Sequence, residues 1–421
     1  MRTASRGLAA LSLLAASLAC GRAQPLAPVA AVTPTVDMPV PTVASETLVP
    51  DEYRLLYEQV AATIDRAGHS LSALPPAEGQ AIVIGAELLP ASGNRGEALL
   101  ETSTLEGVRL YLAGLQSLGL SGATLQISDP LLWPDYPRHT EYEAFFAEVA
   151  AEAHRRGMTV LVETGPAFAD PQYSSVRFDW SRLTVAEYFD GRRYQLERIA
   201  SAVRPDYLSI GSEQSTEQML TGVEFDVERY LTFVRQVTAA IGDEVRLGCG
   251  SGTWEDSALI ERLAGEPGVD FINIHLYPLT NGRVDYLARA AEFAAMARQA
   301  GKQAVLGEAW LYKTAPDELA AGEAYQTIYA RDVYSFWAPL DARFITLVAD
   351  LATQQGFAYA SFFWSGFFFG YLDYGEETAG LSFSARYAQV NRVIVENLLA
   401  GRRSPSGEAL RSRLAAEGSG G

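Results

Sequence analysis

The sequence predicts an α/β protein, a (β/α)8 TIM barrel, on three observations. Eight short runs of β-branched or apolar residues recur between residues 80 and 364. Longer stretches with apolar residues at i, i+3 and i+4 separate them. A glycine or proline closes most of those stretches shortly before the next run, at Gly119, Gly157, Pro205, Gly242, Gly268, Gly301 and Gly356. Eight such units in this length have the count and size of a closed barrel.

In chain order the expected strands start with Ala81-Ile-Val-Ile-Gly, Ala123-Thr-Leu-Gln-Ile-Ser, Thr159-Val-Leu-Val-Glu and Tyr207-Leu-Ser-Ile-Gly. They continue with Val245-Arg-Leu-Gly-Cys, Phe271-Ile-Asn-Ile-His, Ala304-Val-Leu-Gly-Glu and Ala358-Tyr-Ala-Ser-Phe-Phe-Trp. The intervening helical stretches include Glu141 to Arg156, Val227 to Ile241, Val284 to Ala300 and Phe344 to Gln355, and a further helix from Tyr53 to Ala67 should pack on the outside. A doubly wound open sheet would not require eight units, and no Gly-x-Gly-x-x-Gly turn follows the first strand. The apolar run Phe357 to Tyr371 contains Ser365, Gly366 and Gly370 and is short for a membrane span, so it reads as the last strand and its loop.

The two ends read differently. Arg2 and Arg6, the apolar run Leu8 to Ala19 and then Cys20 read as a signal peptide over 1–20. Ser17-Leu-Ala-Cys-Gly21 resembles a bacterial lipoprotein cleavage box, with Cys20 as the lipidated residue; ordinary secretion is the alternative. Residues 21–50 are rich in Pro, Ala, Val and Thr and should form an extended tether. The catalytic domain is expected over 51–403, followed by a flexible tail over 404–421. The protein should be extracytoplasmic, on the cell surface or secreted. The lipid anchor would be its only membrane contact.

Composition removes several functions. With 51 acidic against 33 basic residues and a net charge of −18, nucleic acid is an unsuitable partner, because phosphate neutralisation needs clustered Lys and Arg. The two cysteines, Cys20 and Cys249, supply no disulfide framework, and Cys249 reads as a small buried apolar residue. The four histidines are scattered and no metal-ligand spacing occurs, so no metal and no cofactor is expected. The sequence has no Gly-x-Ser-x-Gly elbow, and its only lysines, Lys302 and Lys313, do not end a strand, which disfavours a Schiff base.

Barrel enzymes place their chemistry at the C-terminal ends of strands. At those positions stand Glu87 and Arg95, Asp129, Glu163, Ser212 and Glu213, Trp254, His275 and Tyr277, Glu308 and Trp310, and Trp364. Carboxylates and aromatic rings dominate. A pair of carboxyls on one face can attack a sugar carbon and protonate its leaving oxygen, retaining configuration when they lie about 5–5.5 Å apart.

Ser209-Ile-Gly-Ser-Glu213 on strand 4, Asn273-Ile-His-Leu-Tyr-Pro278 on strand 6, Leu306-Gly-Glu-Ala-Trp310 on strand 7 and Phe363-Trp-Ser365 on strand 8 resemble the clan A glycoside hydrolases. These are retaining (β/α)8 enzymes that include cellulases, mannanases and galactanases. The resemblance runs over about residues 80–400. It implies Glu213 as general acid/base and Glu308 as nucleophile, with His275 and Tyr277 flanking the reacting sugar and Trp364 flooring its subsite. Ser212 departs from the pattern, since most of the clan has Asn immediately before the acid/base, where it binds the sugar 2-hydroxyl.

The expected function is therefore a retaining glycosidase acting on a β-linked oligo- or polysaccharide, as a monomer. Ser212, Trp254, Trp310, Asp129 and Glu163 join His275, Tyr277 and Trp364 as candidates for contacting substrate. A barrel that binds glycans without cleaving them is the alternative. A two-lobed solute-binding lipoprotein is a third reading, and the eight-unit count argues against it.

Overall fold

The computed structural model describes residues 49–77, 81–168, 174–277, 285–315, 318 and 325–418. The stretch expected to be a signal peptide, Cys20, and all but the last two residues of the expected tether lie outside them. Eight parallel strands close into a barrel in sequential order. They are β1 (Val83–Glu87), β2 (Gly122–Asp129), β3 (Thr159–Pro166), β4 (Tyr207–Ser209), β5 (Arg246–Gly252), β6 (Phe271–Leu276), β7 (Gln303–Ala309) and β8 (Tyr359–Phe362). Each coincides with one of the eight expected runs.

The surrounding helices are α1 (Asp51–Ala73), α2 (Thr104–Ser117), α3 (His139–Arg155), α4 (Val185–Arg198), α5 (Gln214–Thr221) and α6 (Val227–Ile241). They continue with α7 (Ser257–Ala264), α8 (Tyr286–Gln299), α9 (Ala338–Gln354), α10 (Phe383–Leu399) and α11 (Pro405–Gly418). Helix α4 starts with a capping box, Thr184 accepting from Glu187 N–H while Glu187 accepts from Thr184 N–H. Helices α6 and α8 are capped by Asp226 and Asp285. Among the described residues no helix is long and apolar enough to cross a membrane.

The flexible tail expected from residue 404 onward is corrected over residues 405–418. Helix α11 packs on α9, Leu410 is fully buried, Ser406 shares a hydrogen bond with Tyr371 (2.7 Å), and Arg413 pairs with Asp350 (2.7 Å). The Ser/Gly content of that stretch concealed a helix that turns Leu410 and Leu414 inward.

Inside the barrel, the side chains of alternate residues stack in layers. The lowest layer is apolar, with Leu161, Tyr207, Phe271, Val305 and Tyr359, and with Val83 packed against it. Gly122, Gly85 and Gly248 leave the volume that the Tyr359 and Phe271 rings fill. Two residues further along β3, β4, β6 and β8, at Glu163, Ser209, Asn273 and Ser361, the interior turns polar. Thr124 meets Tyr359 and Ser361 (3.1 and 2.7 Å), and Asn273 bonds Glu163 and Ser209. Cys249 is buried with a free thiol, as expected.

Candidate active site

Above the polar layer lies a small recess between the strand ends, lined by Glu163, Ser212, Glu213, His275 and Glu308, together with Gln126, Thr164, Gly165 and Glu217. Glu213 reaches it because β4 ends at Ser209 and the chain turns into α5 immediately after Glu213. The turn is held from behind. Thr164 Oγ1 donates to Ser209 O (2.8 Å), the fully buried Arg192 donates to Ile210 O (2.6 Å), and Tyr230 donates to Gly211 O (3.3 Å).

Glu308 reaches the recess by a different route. Along β7, Val305 faces the barrel interior while Leu306 joins the outer core, so strict alternation would send Glu308 outward. The β6–β7 ladder slips instead: Ile274 pairs with Leu306, but His275 pairs with Glu308. Gly307 is the extra residue, and the bulge turns Glu308 inward, opposite His275. A side chain at 307 would collide with Glu163 and Asn273.

Glu213, His275 and Glu308 each bring one nitrogen or carboxylate oxygen within 4.8 Å of the others. His275 Nδ1 lies 2.7 Å from Glu213 Oε1 and 3.6 Å from Glu308 Oε2. Thr216 donates to Glu213 Oε2 (2.9 Å), and Tyr277 donates to Glu308 Oε2 (3.1 Å). This trio is the one group among the described residues compact enough to surround a cation. Hydrogen bonds from within the protein already use Glu213 and Glu308, so the set has the chemistry of shared protons.

The electrostatics follow from burial. Desolvation raises Glu213, partly offset by its bonds to His275 and Thr216. Desolvation likewise pushes Glu308 up to about 8, against the pull of His275 and with the charges of Glu213 and Glu163 adding to the rise. Burial alone would lower His275, but Glu308, Glu163 and Glu213 outweigh it and hold the imidazole well above its ordinary range. Two carboxyls this close cannot both ionise readily, so they titrate as a unit that retains one proton.

Of the residues expected from the sequence, the structure brings Glu163, Ser212, Glu213, His275 and Glu308 to the recess, with Tyr277 buried directly behind Glu308. Four others are corrected. Asp129 is buried against Trp133 Nε1 (3.0 Å) and Arg192 (3.2 Å), in a network with Glu217. Trp310 is fully buried, stacked on Phe367 and beneath Lys313. Trp364 packs among Phe363, Phe367, Tyr329 and Tyr387, and Trp254 lies against Gly252; neither lines the recess. Their apolar faces are used by the protein itself.

Sequence reasoning missed Asn273, which donates to Glu163 Oε1 (2.6 Å), Ser212 Oγ (2.7 Å) and Ser209 Oγ (3.1 Å). It also missed Gln126. A signal existed for both, since each is a polar residue of inward parity within its strand.

No protein-family model and no curated protein matches the chain. Solved structures do. GH5_18 from Bifidobacterium longum subsp. longum is 13% identical, with 81% of this chain and 80% of that one covered at a TM-score of 0.52. A complex from the same source with a Manβ1-4GlcNAc ligand is 11% identical at the same TM-score, covering 81% of this chain and 79% of that one. The fold is the (β/α)8 barrel of these proteins. An exo-β-1,4-mannosidase from Opitutaceae bacterium strain TAV5 is 16% identical at a TM-score of 0.49; 82% of this chain is covered, spanning 61% of that one.

Proposed function

We propose that the protein is a retaining glycoside hydrolase that cleaves a β-linked saccharide by double displacement, with Glu308 as nucleophile and Glu213 as general acid/base. The observation that carries this reading is that one oxygen of each carboxyl lies within 4.8 Å of the other. So close an approach favours the narrow carboxyl spacing of retaining enzymes over the wider one that admits a water in inverting enzymes.

In the first step the one proton of the carboxyl pair sits on Glu213, and the ionised Glu308 oxygen bonds to the anomeric carbon as the glycosidic C–O bond breaks. Glu213 gives its proton to the departing oxygen. In the second, Glu213 takes a proton from water, whose oxygen displaces Glu308 from the sugar. Tyr277, donating to Glu308, holds the oxygen pair in orientation. Ser212 stands where an Asn would meet the sugar 2-hydroxyl. Its own hydroxyl is engaged by Asn273 and Ser209, so that contact would be supplied by a serine backed by an asparagine.

The structural neighbour that holds Manβ1-4GlcNAc makes β-mannosides the first substrates to try. The basic start, the apolar run Leu8 to Ala19 and the Cys20 motif support an extracytoplasmic, lipid-tethered protein. The test is a panel of aryl β-glycosides and β-linked polysaccharides, read by NMR of the anomeric proton. Turnover with retained configuration, abolished in Glu308→Ala, supports the reading. Affinity without any product would instead support a glycan-binding barrel, and inverted product would remove the mechanism.

A further inference from the structure

Double displacement uses two carboxylates, and the recess contains a third. Glu163 stands on the inward face of β3, two residues above Leu161 of the apolar layer, and is almost fully buried. One of its oxygens, Oε1, accepts from Asn273 Nδ2 (2.6 Å) and lies 3.6 Å from His275 Nε2. The bulge residue Gly307 supplies the space it occupies. His275 Nε2 is itself buried with no other polar partner among the described residues.

We propose that Glu163 is a positioning residue that, by facing His275 Nε2, decides which ring nitrogen carries the hydrogen and so keeps a proton at the His275–Glu213 contact. The proposal rests on the reading of Glu213 as the acid/base. A neutral imidazole carries one N–H. A carboxylate at Nε2 favours a hydrogen there, so that the second proton of the His275–Glu213 pair is shared between Nδ1 and Glu213, 2.7 Å away. Without Glu163, that shared proton is lost to solvent more easily, and the ionised Glu213 left behind has nothing to give a leaving group. When the ring is doubly protonated, the same charge stabilises it.

The other groups facing this unit are Glu308 on β7, Glu255 after β5, Glu87 on β1 acting through Glu308, and the phenols of Tyr277 and Tyr312. Glu217, which lines the same recess, is paired with the buried Arg192. Replacing Glu163 by Gln removes one negative charge facing His275, and the proton is held less tightly.

The test uses two readouts in wild type, Glu163→Gln and Glu163→Asp. Titration of ¹⁵N-labelled histidine by NMR should show the His275 midpoint falling by about one pH unit or more in Glu163→Gln, with Glu163→Asp between. The alkaline limb of kcat/KM should move to lower pH by a comparable amount. Superimposable His275 titrations, or a pH-independent drop in kcat/KM, would overturn the proposal. A wild type that turns over no glycoside sinks the acid/base reading instead, and the NMR titration then decides on Glu163 alone. If Glu163→Gln does not fold, the Asp variant carries the comparison.

Discussion

Glu308 stands opposite His275 across the β6–β7 ladder, where unbroken register from Ile274–Leu306 would have put Gly307. The inward aim of Glu308 thus depends on one residue that has no side chain. Gly307→Ala should cost about 1–3 kcal/mol through overpacking against Glu163 and Asn273. It should also lower kcat about 100-fold by displacing Glu308 on the order of 1 Å. Urea unfolding together with turnover checks both, and a variant with full kcat would show that the bulge does not set the geometry.

Glu213→Gln preserves shape while removing the transferable proton. Turnover should fall about 10²–10⁴-fold on substrates whose leaving group needs protonation. Activated aryl glycosides should lose less in the first step. Equal losses across leaving groups of different acidity would argue against Glu213 as the acid.

Stability should fall as pH rises from about 4.5 to about 8. The Glu213–Glu308 pair binds its proton more tightly folded, where burial pushes Glu308 up to about 8, than unfolded, near 4.5. Its contribution is therefore complete below the unfolded value and lost as pH rises through the folded one, with a slope of at most about 1.4 kcal/mol per pH unit for one proton. Asp332, pushed up to about 7 by burial despite Lys313, acts in the same direction. Glu308→Gln should flatten the slope and melt above wild type at pH 8. Melting curves across this window that run parallel would contradict it.

Leu410→Ala should destabilise by about 2–5 kcal/mol, since the side chain is fully buried where α11 covers α9. No residue of α11 lines the recess, so KM should stay unchanged. A Tm shift of less than 1 °C would mean that α11 is dispensable.

The barrel was legible because its rule is periodic. β-Branched runs ending at Glu163, His275 and Glu308 mark strands whatever their neighbours are. Glu213 and Glu308 could be found for the same reason, being carboxylates at strand ends. What sequence could not show was direction. Residue type and position are identical for a tryptophan that offers its face to a sugar and for Trp310, which spends it on Phe367. Asp129 has the right address at the end of β2, yet Arg192 on α4 claims it from outside the barrel. The Gly307 slip was likewise invisible, because parity alone points Glu308 away from the site that it serves.

The polar middle layer sets a limit on how this protein can be made sturdier. Thr124, Ser361, Ser209, Asn273 and Glu163 occupy positions that aliphatic side chains could fill. Replacing the set with packed apolar residues can be neutral or stabilising for a buried polar cluster. The same replacement would leave Ser212 and His275 without support. Selection for heat resistance alone would therefore be expected to drift toward a plugged, inert barrel, and useful stabilising substitutions should be sought in the helical shell.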